Sequence, residues 1–80
     1  MKEQIAELVT YLAKSLVEDP EQVTVTALED DDTVTLELRV AQDDIGRVIG
    51  KQGRIAKALR TILSATATKS GKHASLEILD

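Results

Sequence analysis

Lys51 and Gln52 stand between two glycines, Gly50 and Gly53, with Arg47 ahead of the group and Arg54 and Lys57 behind it. A Gly-x-x-Gly turn of this kind is equipped for holding a ligand and not for breaking bonds. Without Cβ atoms, the backbone at 50 and 53 can take left-handed dihedrals and lie close against another molecule. The helical pattern that follows, Ile55, Ala56, Leu59, Ile62 and Leu63, opens at Gly53. Its first turn directs unpaired N–H groups, and the positive end of the helix dipole, at whatever lies over the glycines. An anion belongs there, and a phosphodiester backbone is the ligand this chemistry fits best.

Other chemistries find less support. There is no cysteine, so thiolate metal sites, disulfides and a cysteine nucleophile are excluded. His73 is the only histidine, and neither a partner nor a pocket is suggested for acid–base work. Ser, Thr and Lys form no nucleophile constellation, so no catalytic residue is assigned and the chain is read as non-enzymatic, with no small-molecule substrate. A P-loop needs four residues between its glycines and a hydroxyl after its lysine, whereas Arg47, Val48 and Ile49 alone separate Gly46 from Gly50 and Gln52 follows Lys51. A dinucleotide fingerprint fails on spacing and on the lack of a strand directly ahead of the glycines. The acidic run Glu29 to Asp32 has no calcium-loop spacing and reads as a solvated turn, so neither metal nor cofactor is expected.

Eighty residues make one small domain, and its core must be aliphatic because Tyr11 is the only aromatic residue. A chain this short buries only about 60% of its unfolded surface, which makes self-association useful. Apolar runs never exceed three residues, which argues against a membrane span or a secretory segment and fits a cytoplasmic protein. The net charge of −4 hides an asymmetry along the chain. Residues 1–38 carry ten acids against Lys2 and Lys14, whereas residues 39–72 carry eight cations, from Arg39 to Lys72, against Asp43 and Asp44. The local field governs where a polyanion docks, so the basic segment around the glycines is the expected face.

Residues 2–18 place Ile5, Leu8, Val9, Leu12, Ala13 and Leu16 at helical spacing, and Pro20 is expected to end that helix. Val23 to Glu29 alternates, and Thr33 to Val40 alternates again, with Val34, Leu36, Leu38 and Val40 on one side. The polar run Glu29 to Asp32 interrupts the alternation, and the two runs make an antiparallel hairpin. Asp43 is the expected N-cap of a short helix that Gly50 breaks. A longer helix runs from about Gly53 to Thr68, facing the sheet with Ala56, Leu59, Ile62 and Leu63, and Gly71 stops it. Ala74 to Leu79 supplies a third strand, with Leu76 and Ile78 inward. The order α-β-β-α-α-β gives an α+β fold, a three-stranded sheet packed on one face by helices.

The segment Gly46-Arg-Val-Ile-Gly-Lys-Gln-Gly-Arg-Ile-Ala resembles the signature of a KH domain, and the element order resembles its type II arrangement. The likeness covers nearly all of residues 1–80, which are expected to form a single KH domain. In length and wording the chain is similar to the small bacterial stand-alone KH proteins of the KhpA (YlqC-like) family. That resemblance implies a cytoplasmic RNA-binding protein and RNA chaperone with a role in cell-envelope homeostasis and cell shape. It also implies a homodimer, or a heteromer with a larger KhpB-like RNA-binding protein. By position, Gly50 and Gly53 would hold the turn, Lys51 and Gln52 would sit at its tip against single-stranded RNA, and Arg54 would reach a phosphate. Ile45, Val48 and Ile49 would form an aliphatic wall for the bases, with Arg47, Lys57 and Arg60 extending the basic rim and Arg39 on the polar side of the second strand. Two other readings stay open: an adaptor that works mainly by dimerising, and a binder of single-stranded DNA.

Overall fold

The computed structural model describes residues 2–79. Helix α1 (Lys2–Leu16) buries Ile5, Val9 and Ala13, the stripe its sequence spacing defines. It stops at Leu16, well before Pro20, which instead opens a short 3-10 turn, Pro20–Gln22, where its missing N–H costs nothing. Strand β1 (Thr24–Glu29) pairs antiparallel with β2 (Thr33–Arg39), Thr24 opposite Arg39 and Glu29 opposite Val34. Helices α2 (Ile45–Ile49) and α3 (Arg54–Thr68) follow, and β3 (His73–Leu79) joins the other side of β2 in parallel, His73 beside Thr33 and Leu79 beside Arg39.

The alternation of β2 sends Val34, Leu36 and Leu38 into the helical layer, all with 0% exposure, together with Val48 from α2. Each such side chain contributes about 1.5–3 kcal/mol by leaving water. From α3, Ala56, Leu59, Leu63 and Ala67 complete this core. Ile62, expected on the same face, is 41% exposed. It lies at the margin of the α3 stripe, whose inward positions fall to Leu59, Leu63 and Ala67 at four-residue spacing.

The helix ends where its chemistry says. Gly71 has φ +74, its N–H donates to the Thr68 carbonyl at 2.9 Å, and the Lys72 N–H donates to the Ala67 carbonyl at 3.0 Å. These are the two bonds of a Schellman stop with glycine in the left-handed position. The parallel pairing then fixes the location of the glycine turn. A helix of 15 residues spans about 22 Å, close to the reach of a seven-residue strand, about 23 Å. Because α3 returns the chain to the start of β3, its own first residues stand at the opposite end, near Arg39 and Leu79.

The hairpin turn marks the other pole. Asp30 Oδ1 accepts the N–H groups of Asp32 at 3.0 Å and Thr33 at 2.8 Å, so the acidic run serves as a turn. Lys72 Nζ donates to Glu29 Oε2 at 2.6 Å and to the Asp30 carbonyl at 3.0 Å, tying the entry of β3 to that turn. The Lys72 bond holds the Glu29 carboxyl below the ordinary value of 4.5, and the two N–H groups hold Asp30 below 3.8. Carboxylates depressed in the folded state add stability above their unfolded pKa and lose it as pH falls through the folded one. The melting temperature should therefore be steady from neutrality to about pH 5 and decline below it. Lys72→Met should flatten that decline in a series of thermal melts; an unchanged acid profile in the variant would count against the assignment.

Candidate nucleic-acid interface

The interface is built outward from α2. Asp44, and not Asp43, occupies its N-cap position, and the Asp44 side chain makes no capping bond. It is 3% exposed and serves a different purpose. Its two carboxylate oxygens accept the main-chain N–H groups of Glu18 at 3.2 Å and Asp19 at 3.1 Å, and Arg47 Nε lies 3.1 Å from Oδ1. Arg47 also donates from Nη2 to Glu18 Oε1 at 2.6 Å. A buried carboxylate needs several donors, and the connection after α1 supplies two main-chain N–H groups beside the Arg47 guanidinium. The network fastens α2 to the α1–β1 connection. It also turns Arg47 to that flank, about 200° around the helix from Ile49.

The expected aliphatic wall divides. Val48 is wholly buried and belongs to the core, Ile45 is half-buried against it, and Ile49 is 37% exposed. Beyond Ile49, Gly50 takes φ +77 and ψ 173, a region that side chains exclude. A Cβ there would stand 2.6 Å from Ile55 Cγ1 and 2.9 Å from the Ile55 main-chain nitrogen. Gly50 is therefore required twice, by dihedral and by packing. Lys51–Gly53 forms one 3-10 turn, closed by the Gly53 N–H on the Gly50 carbonyl at 3.1 Å. Gly53 is left-handed at φ +73, and so is Gln52 at φ +57. A left-handed residue with a side chain is a strained one, at a cost of about 1–2 kcal/mol. Sequence reasoning placed Gln52 at the tip without its strained backbone, which nothing in the residue type marks.

The basic residues separate by what they touch. The side chains of Lys51, Arg54 and Lys57 are exposed and make no hydrogen bond or ion pair among the described residues. Arg60 donates from Nε and Nη2 to the Leu76 carbonyl on β3, at 3.4 and 3.2 Å. Arg47 is paired as described, and Arg39 lies on the sheet face away from the helices, alternating with the buried Leu38. The turn thus brings together Gly50, Lys51, Gln52, Gly53, Arg54 and Lys57, with Ile49 at its approach, and leaves Arg47 on another flank. The arrangement presents bare backbone, a helix N-terminus and unpaired cations, which is a seat for an extended anion.

A helix, a Gly-x-x-Gly turn and a second helix crossing between parallel strands, behind an α-β hairpin, is a KH domain of the type II order. The model of a family described as KhpA/KhpB, KH domain, matches residues 6–78, and the chain belongs to that family, which is non-enzymatic. A protein named RNA-binding protein KhpA from Treponema pallidum is 53% identical over 74 residues, 92% of each chain. Proteins of the same name from Aquifex aeolicus and Clostridium perfringens are each 51% identical, covering 95% and 91% of this chain and 96% and 97% of theirs. Among solved structures, Aquifex aeolicus Era bound to GDP and aluminium fluoride superposes with a TM-score of 0.69 at 21% identity. That likeness covers 96% of this chain and 30% of Era, and it concerns the fold alone. Among the described residues no helix is long and apolar enough to cross a membrane.

Proposed function

We propose that the chain is a non-catalytic RNA-binding protein that holds single-stranded RNA across the Gly50–Gly53 turn. The observation that carries this reading is the turn itself: two glycines and Gln52 with positive φ, at the opening of α3, edged by the unpaired Lys51, Arg54 and Lys57. The names of its relatives support it. Lys51 and Gln52 would lie along the sugar–phosphate strand, Arg54 and Lys57 would extend the charge along α3, and Ile49 would meet the bases. Arg47 acts at one remove, by holding α2 in place. With no aromatic platform beside the turn, affinity is modest and falls steeply with salt. A weak, sequence-tolerant hold suits an RNA chaperone that visits many transcripts in the cytoplasm, and the family's role in cell-envelope homeostasis and cell shape would act through those RNAs. The test is retention of a short single-stranded RNA by the wild type and by a Lys51→Asp, Gln52→Asp variant. The variant should lose it; equal retention would overturn the reading.

A specific feature favours self-association as well. Ile62 is 41% exposed, with the small, exposed Ala58 and Ala65 one turn before and after it on α3. Such a face lets two helices approach closely, from a second copy or from a larger KhpB-like chain carrying the same kind of domain. Light scattering at high micromolar concentration should give a mass above the monomer, and Ile62→Lys should return it to the monomer; a monomeric wild type would refute the pairing.

A further inference from the structure

Lys69 is a cation with no partner in its own chain. Its side chain is exposed at the end of α3 and makes no hydrogen bond or ion pair among the described residues. A cation there suits the negative end of the helix dipole, which is a contribution to stability alone. It cannot reach the glycine turn of its own chain, because the 15 residues of α3, about 22 Å, lie between them.

Its place around the helix says more. Ala58, Ile62, Ala65 and Lys69 follow at helical spacing and are all exposed, so they share one stripe of α3. The buried stripe of Ala56, Leu59, Leu63 and Ala67 lies about 130° away. Lys69 therefore belongs to the face on which a second copy is proposed to pack. Two copies can set their α3 helices parallel or antiparallel. Parallel packing puts Arg54, Lys57 and Arg60 beside their own copies, and α3 carries no acid to offset the repulsion. Antiparallel packing about Ile62 puts Lys57 and Arg60 beside the uncharged Thr66 and Ser64 of the partner subunit and opposes the two helix dipoles. It also sets Ala58 against the partner's Ala65, so the helices approach closely. Lys69 is seven residues past Ile62, so the partner's Lys69 comes level with Ile55, in the first turn of α3. Arg54 is there already. Two cations so placed repel each other unless an anion lies between them.

We infer that each RNA seat is completed by a second copy of the chain: the partner's Lys69 stands beside Arg54 and meets a phosphate of the strand held at the Gly50–Gly53 turn. Lys69 acts in trans and not on its own turn. This assignment rests on both proposed readings, the turn and the pairing of α3, and adds the coupling between them. The phosphate relieves the repulsion between Arg54 and the partner's Lys69, so RNA draws two copies together. By linkage, pairing strengthens the hold on RNA by the same factor.

The test uses Lys69→Gln on two backgrounds, the wild type and Ile62→Lys, with a labelled single-stranded RNA of about ten nucleotides followed by fluorescence anisotropy. Glutamine is a good helix former, and the variant should melt within about 3 °C of its parent. On the wild-type background it should weaken RNA binding about fivefold and reduce the salt slope by about 0.7. On the Ile62→Lys background it should do neither. Light scattering should show RNA raising the wild-type dimer fraction, and Lys69→Gln should cancel that rise. Orientation is read by cross-linking, since the chain has no cysteine of its own. Under oxidation, Ala58→Cys mixed with Ala65→Cys should give disulfide-linked dimers of unlike chains, and neither variant alone should do so. An equal loss of RNA on both backgrounds overturns the inference, because Lys69 would then act within its own chain. So does full affinity in Lys69→Gln, and so do single cysteine variants that link to themselves as readily as the mixture. The Lys51→Asp, Gln52→Asp variant and the mass of the wild type separate the levels. If that variant loses RNA and the wild type dimerises while Lys69→Gln binds normally, only the Lys69 assignment falls. If the variant binds as well as the wild type, the turn reading falls, and if the wild type is monomeric, the pairing falls; either takes the assignment with it.

Discussion

Gly50→Ala should lower the melting temperature by about 15–25 °C, whereas Gly53→Ala should lower it by less than half as much. The two positions look alike in the sequence, and both have positive φ, +77 and +73. They differ in what surrounds them. At Gly53, with ψ 16, alanine suffers only the left-handed penalty of about 1–2 kcal/mol. At Gly50, with ψ 173, the backbone is in a region occupied almost solely by glycine. The added carbon would also press on Ile55 Cγ1 at 2.6 Å, Ile55 Cβ at 2.9 Å and the Ile55 nitrogen at 2.9 Å. The nitrogen cannot retreat unless the first turn of α3 moves. Together these cost about 3–5 kcal/mol, a large share of the stability of a domain this size. Melts followed by circular dichroism decide the matter; equal losses at the two glycines would mean that Gly50 does not pack on Ile55 as described.

Lys51→Asp combined with Gln52→Asp should weaken single-stranded RNA binding about 100-fold near 0.1 M salt, with the melting temperature nearly unchanged. Both side chains are exposed and make no hydrogen bond or ion pair among the described residues, so the described fold does not depend on them. Aspartate tolerates the left-handed backbone at position 52 better than most residues do. Binding, by contrast, is deprived of one cation and gains two anions where phosphates would rest. The slope of log affinity against log salt should also shrink, by about 0.7 for each phosphate that is no longer neutralised. Affinity within about threefold of the wild type would place the RNA elsewhere.

Much of the fold was legible in the residues. The alternation of Val34, Leu36, Leu38 and Val40, the stripe of α1 and the stop at Gly71 each reflect a local rule, and local rules are what a single sequence exposes. What was not legible depends on partners distant in the chain. The charge asymmetry between the two halves suggested a continuous basic face, yet in space the halves interleave. Glu18 meets Arg47 and Glu29 meets Lys72, so only part of the basic segment is left to act on a ligand. Asp44 likewise gives no local sign that it will accept N–H groups from residues 18 and 19 instead of capping its own helix. Val48 and Ile49 are adjacent aliphatic residues, and helical phase alone sends one into the core and the other outward.

The pairing of Leu79 with Arg39 has a practical consequence for anyone attaching something to this chain. A dye, tag or fused protein joined after the last strand emerges at the same end as the glycine elbow and, on the function proposed above, would crowd incoming nucleotides. Joined ahead of Lys2, whose N–H reaches Glu29 by the hairpin, it hangs from the far pole and leaves the glycine end clear.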